Sequence, residues 1–175
     1  MLPEEGLTVL DIRKSHFPII CAILALTLFV ACGVKSGDGR IRNDVAVSDV
    51  STAVASVLSD DALVSVSATY ISGSMKMNVS DYDSFDVRIN SKGVNIDEYG
   101  VFKAKDSAQV ALVEKSVSSY LQMRKDTWMK EYMPEEFPKL ESAEIKIAGN
   151  YVIYAILSDS DRTAAFEAFE KALTA

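Results

Sequence analysis

Two pairs of adjacent carboxylates, Asp97-Glu98 and Glu135-Glu136, are the side chains of this sequence best suited to acid–base chemistry. Paired acids can serve glycoside hydrolysis, one protonating the leaving oxygen while the other activates water or attacks the sugar. Nothing in the linear pattern brings the two pairs together, and carboxylates at element ends are commonly plain surface charges. A further acidic run, Asp81-Tyr82-Asp83-Ser84-Phe85-Asp86, invites a calcium reading. An EF-hand loop needs an oxygen ligand where Phe85 stands and a glycine where Asp86 stands, so that pattern fails. Trp128, Tyr132 and Phe137, with Met129 and Met133 between them, form an aromatic and methionine cluster. Such side chains are enriched in recognition surfaces, and they equally fill core between helix and sheet. The sequence thus assigns no catalytic residue, no metal site and no cofactor. Trp128, Tyr132 and Phe137 are its candidate binding residues.

Cysteine and histidine chemistry is confined to the start of the chain. His16 is the single histidine, and Cys21 and Cys32 are the two cysteines. An apolar run from Phe17 to Ala31 follows Arg13, Lys14 and His16. That length suits the core of a signal peptide better than a membrane-spanning helix, which needs ~20 apolar residues. Directly after it stands Leu28-Phe29-Val30-Ala31-Cys32-Gly33. A small residue before a cysteine at the end of a signal core resembles the lipobox of bacterial lipoproteins, with Phe29 where leucine is usual. The resemblance implies a diacylglycerol on the Cys32 thiol and cleavage that makes Cys32 the new N-terminus. The alternative is an uncleaved signal anchor with Cys32 an ordinary thiol.

Cleavage would remove His16 and Cys21 with the signal. A Ser-His-Asp triad, a Cys-His pair, a histidine-ligated metal and structural disulfides are then all excluded. The chain has 175 residues, 18 basic and 25 acidic, with a net charge of -7. Without a basic cluster, that balance argues against nucleic acid and against a polybasic membrane contact added to the lipid. A hydrophobic fraction of 49% is too high for a disordered chain.

The elements that must position these side chains read as follows. Residues 33–46 are rich in Gly, Ser and charge and lack periodicity, as a tether does. Ser48–Leu58 places Val50, Val54 and Val57 on one helical face, with Ser48 as its N-cap. Residues 61–80 give no clear signal. Phe85–Ile89 alternates as a strand, and Val94–Lys105 reads as a second extended run. Asp106, with Gln109 three residues on, opens a long helix whose stripe is Val110, Val113, Val117, Tyr120, Leu121 and Arg124, apolar until the last. The pattern continues to about Tyr132, and Pro134 ends it. Gly149-Asn150 between two β-rich runs is a hairpin turn that puts Ile145, Ile147, Val152, Tyr154 and Ile156 on one face. The second strand of the hairpin is apolar on both faces, as a central strand is. Ser158 with Asp161 caps a last helix that buries Phe166, Phe169 and Leu173.

The expected fold class is α+β: a small antiparallel sheet with a C-terminal β-hairpin, packed against one long and two shorter helices. Three segments are expected: a signal peptide over 1–31, the lipidated Cys32 and a flexible tether over 32–46, and a single α+β domain of unknown function over 47–175.

Two stretches, Asp97–Val110 (DEYGVFKAKDSAQV) and Glu131–Ile156 (EYMPEEFPKLESAEIKIAGNYVIYAI), are similar to the family called domain of unknown function 4358. The likeness runs from about Ser48 to the C-terminus and is strongest from Asp97 onward. The resemblance implies a lipoprotein of Gram-positive bacteria and carries no activity, cofactor or catalytic residue. The expectation is a lipoprotein on the extracytoplasmic face of the cell membrane, held by a lipid (a diacylglycerol, labelled by palmitate) on Cys32. Its domain would be a noncatalytic binding or interaction module for an envelope protein, a cell-wall ligand or a small solute. The alternative is a carboxylate-based or metal-assisted hydrolase acting on cell-envelope glycans.

Overall fold

The computed structural model describes residues 39–129 and 131–174. The apolar run expected as a signal peptide, and Cys32 after it, lie outside the described residues. Five strands form one antiparallel sheet in the order β1-β2-β3-β5-β4: β1 Leu63–Ser65, β2 Tyr82–Asn90, β3 Glu98–Ala104, β4 Glu144–Ala148 and β5 Tyr151–Ile156. The helices are α1 (Val47–Ala55), α2 (Ala68–Gly73), α3 (Val110–Asp126), α4 (Phe137–Glu141) and α5 (Asp159–Leu173).

Both faces of the sheet are covered. On one, Val87, Phe102, Val152, Tyr154 and Ile156 pack against Val113, Val117, Tyr120 and Leu121 of α3, with Ile71 of α2 and Leu140 of α4. On the other, Tyr99, Val101, Tyr151, Ile153 and Leu157 pack against α1 and against Phe166, Phe169 and Leu173 of α5. Successive strand residues point to opposite faces, so a strand between two helical layers must be apolar at every position. All six residues of β5 are buried, and β5 lies between β3 and β4 as its sequence predicts.

The hairpin follows its local code. Ala148 pairs with Tyr151 across Gly149 and Asn150. Gly149 has φ +56, and Asn150 is not in the left-handed region, the pattern of a type II′ turn. The last helix also begins as read, with the Ser158 hydroxyl accepting from the Asp161 amide at 3.2 Å.

Other elements differ from their sequence signals. Ser48 is not the cap of α1: the helix starts at Val47 behind Ala46, which makes no side-chain cap. Burying Val47 sets that boundary, and Val57 falls beyond the helix end, 45% exposed. Asp106 accepts from the Gln109 amide at 3.1 Å, yet Gln109 Oε1 finds no partner in return. The long helix stops at Asp126, well before Tyr132 and Pro134. Thr127 closes it by turning its hydroxyl back to the Met123 carbonyl at 2.8 Å, and Trp128 N–H reaches only to Lys125, tightening the last turn. Met75 and Met77, from the stretch that gives no clear signal in the sequence, are both inside the α3-side core.

Residues at the end of the expected tether lie on the domain. Ile41 forms a β-bridge with Thr174, and Arg42 N–H donates to the Leu173 carbonyl at 2.8 Å. The Asn43 side chain accepts from the Asn150 amide at 2.8 Å. The Tyr151 hydroxyl donates to the Val45 carbonyl at 2.6 Å. These contacts gather at the hairpin end of the sheet. Its far end carries the start of β3, the ends of β2 and β5, the N-terminus of α5 and the C-terminal turn of α3.

Candidate functional site

Glu98 is the first residue of β3, and its carboxylate turns into the α3-side core, only 2% exposed. Three side chains meet it there. Tyr120 and Tyr154 hydroxyls donate to Oε1 at 2.6 and 2.5 Å, and Arg124 Nη1 donates to Oε2. The same guanidinium donates to the Tyr120 hydroxyl at 2.7 Å. Tyr120 and Arg124 stand one turn apart on α3, which places both on the face turned to the sheet. Tyr154 comes from the neighbouring strand, where its partner across the ladder is Gly100. A Cβ at Gly100 would lie 2.5 Å from Tyr154 Cε1 and 2.8 Å from Val87 Cγ2. Glycine is what lets the tyrosine ring cross the strand to reach Glu98.

A second cluster lies beside the first. Lys139 Nζ on α4 bonds Asp97 Oδ1 at 2.7 Å and Glu136 Oε2 at 2.9 Å, and Glu136 also accepts from the Ile96 amide at 3.0 Å. The structure therefore brings together one member of each carboxylate pair, Asp97 and Glu136, through Lys139, which no sequence pattern marks. Glu135 stays exposed. Asp60 accepts from Asn90 and Asn95 side chains at 2.7 and 3.2 Å and from the Ala62 amide at 2.8 Å, which ties down the loop between β2 and β3. Between these groups lies an open cleft of 150 Å³, lined by Tyr70, Asn90, Asn95, Asp97, Glu98 and Arg124 among others.

Electrostatics follow from burial and pairing. Burial pushes the Asp97 carboxyl up, and the Lys139 hydrogen bond and charge only partly offset it. Burial also acts to lower Lys139, but its bonds to Asp97 and Glu136 outweigh that and hold the ammonium above its ordinary value. Tyr120 and Tyr154 are pushed up by burial and then by the Glu98 charge. A phenol whose pKa is raised by folding adds stability that is complete below the unfolded value of about 10 and is lost as pH rises past it. In an ultraviolet titration Tyr120 and Tyr154 are thus expected to ionise only together with loss of the circular dichroism signal. Normal ionisation of all seven tyrosines near pH 10 in an intact fold would contradict this environment.

The aromatic candidates separate. Trp128 stacks on Phe137, with ring centroids 6.5 Å apart at 27°, and both pack partly buried on the α3-side core. The indole N–H is sealed from solvent without a hydrogen-bond partner. Tyr132 is 73% exposed and Met129 68%, beside that stack in sequence. The acidic run disperses: Asp81 accepts from the Asn78 side chain, Asp83 faces Lys103 and Asp86 holds Arg88 at 3.0 Å. Among the described residues no three acidic, histidine or cysteine side chains are grouped to hold a metal ion, and no helix is long and apolar enough to cross a membrane.

The class of molecule defined here is an α+β domain with one antiparallel five-stranded sheet between helical layers and a buried Glu-Arg-Tyr cluster at one sheet end. The chain belongs to the family described as Domain of unknown function (DUF4358), whose model matches residues 56–157. That match spans β1 to β5 and includes every residue of the two clusters. No curated protein and no solved structure matches the chain.

Proposed function

We propose that the protein is a lipoprotein held to the extracytoplasmic face of the cell membrane by a lipid on Cys32, with a noncatalytic binding domain for an envelope protein or cell-wall ligand. The apolar run Phe17–Ala31 and the Ala31-Cys32-Gly33 junction support the anchor. One arrangement carries the binding reading. At the far end the inward acids are already held by the fold's own cations, Glu98 by Arg124 and both Asp97 and Glu136 by Lys139, while Tyr132 and Met129 stand exposed. Glycoside hydrolysis needs one acid protonated and another free to act on water or sugar. Carboxylates committed to internal cations fit support of a surface better than turnover.

Cys32→Ala is expected to abolish metabolic labelling by palmitate and to release the protein from the membrane fraction; unchanged labelling overturns the anchor. For the domain, a photo-crosslinking residue at Tyr132 on intact cells should yield a discrete adduct that the same residue at Glu167 does not. Release of reducing sugar from cell-wall glycan by the purified protein would instead favour hydrolysis.

A further inference from the structure

We propose that the cleft between the Glu98 and Asp97 clusters binds one neutral sugar ring, Arg124 donating to two adjacent hydroxyls and Asp97 accepting from another. This rests on the reading of the domain as a noncatalytic binding module and gives its cell-wall branch a class of ligand. The first support is what the fold leaves unused there. Arg124 spends only Nη1 on Glu98 and Tyr120, and its guanidinium lies over the Tyr120 ring, 5.7 Å from the centroid. Among the described residues Nε and Nη2 meet no acceptor, and neither is sealed from solvent. That edge of a guanidinium takes two oxygens side by side. Asp97 is 7% exposed, and Lys139 takes its Oδ1. Among the described residues no donor reaches Oδ2, which is likewise not sealed. A polar oxygen set this deep is normally hydrogen-bonded, and both residues line the 150 Å³ cleft.

The rest of the cleft is held in place beforehand. Asn90 and Asn95 give their amide N–H groups to Asp60. Their carbonyl oxygens accept from backbone amides, Asn90 from Lys92 and Gly93, Asn95 from Asp97. The loop between β2 and β3 is thereby ordered without a ligand, which lowers the cost of binding one. Ile89, Ile96 and Tyr70 add apolar wall.

Charge and size select the ligand. Asp60, Asp97, Glu98 and Glu136 stand at the cleft against Arg124 and Lys139, while Lys92 is paired with Asp61. An anion would bring its charge into that surplus of carboxylates. An ammonium offers the Arg124 edge no acceptor, and a peptide amide offers it a single oxygen. Hydroxyls on neighbouring carbons accept from the guanidinium and also donate to Asp97. The C–H face of the same ring suits the apolar wall. Pockets for drug-sized ligands start at about 300 Å³, so this cleft has room for one ring rather than a chain.

The full chain is purified in a zwitterionic detergent without a sugar headgroup. Saturation-transfer NMR is run with methyl glucoside, N-acetylglucosamine and, as the charged comparison, glucuronate. Transfer to at least one neutral sugar is expected several-fold above that to glucuronate. Asp97→Asn should reduce it several-fold with the circular dichroism spectrum unchanged. Undiminished transfer in folded Asp97→Asn, or stronger transfer to glucuronate, overturns the site. Because Asp97 also holds Lys139, a diazirine-bearing glucoside maps the contact in the unaltered chain. Adducts on Tyr70 or residues 89–98 support the cleft, and adducts only elsewhere overturn it. No transfer to either neutral sugar overturns the sugar site alone when Tyr132 still yields its discrete adduct on intact cells. Release of reducing sugar from cell-wall glycan overturns the noncatalytic reading, and the inference with it.

Discussion

Glu98→Ala is expected to destabilise the domain by about 3–5 kcal/mol, because it leaves the Arg124 charge in a largely buried site without its counter-ion. The same change removes the acceptor of two buried phenols, Tyr120 and Tyr154. With total stabilities of roughly 5–15 kcal/mol, much of the folded population is at stake. Urea unfolding followed by circular dichroism measures it. A loss below about 1 kcal/mol would mean that Glu98 is not the acceptor on which the cluster depends. Replacing the ion pair as a pair, with Glu98→Gln and Arg124→Met together, should cost less than Glu98→Ala, since no buried charge is then stranded. A double-mutant cycle on Glu98 and Arg124 reads their coupling directly.

Gly100→Ala should destabilise by about 1–3 kcal/mol, although it adds a single methyl group. The added Cβ meets a ring carbon of Tyr154 and a methyl of Val87, both on buried side chains. Neither can retreat without disturbing the core, and any shift of the Tyr154 ring pulls its hydroxyl from Glu98. Thermal melting, together with an earlier onset of tyrosine ionisation on the alkaline side, checks both parts. A stable variant with an unchanged titration would show that the strand can shift to make room.

The parts of this fold legible in the sequence are those specified over a few neighbouring residues. Gly149-Asn150 sets the hairpin by turn chemistry, and Ser158 with Asp161 opens α5 by capping; both are local. β5 could be placed inside the sheet because it is apolar on both faces. α2 gives no signal because it is six residues long, is flanked by serines and buries only Ile71. The end of α3 was misplaced because apolar spacing continues through Trp128, while the chain leaves the helix at Thr127. The site was half legible for the same reason. Arg124 interrupts an apolar stripe, which marks a buried charge seeking a partner. That the partner is Glu98 depends on how β3 registers against α3, a tertiary fact. Asp97 and Glu136 were both singled out as acids, but Lys139, which joins them, lies on a five-residue helix with little periodicity to read.

The strand order leaves β1 and β4 at the margins of the sheet. An open strand margin is where copies of a protein zip together, and the crowding that the proposed membrane anchoring implies would make such pairing more frequent. β1 offers only three residues before the chain turns away. β4 offers five, with Glu144 and Lys146 among them, engaged by Arg162 and Glu170 of α5. A short margin on one side and a charged one on the other keep the sheet from growing across neighbouring copies.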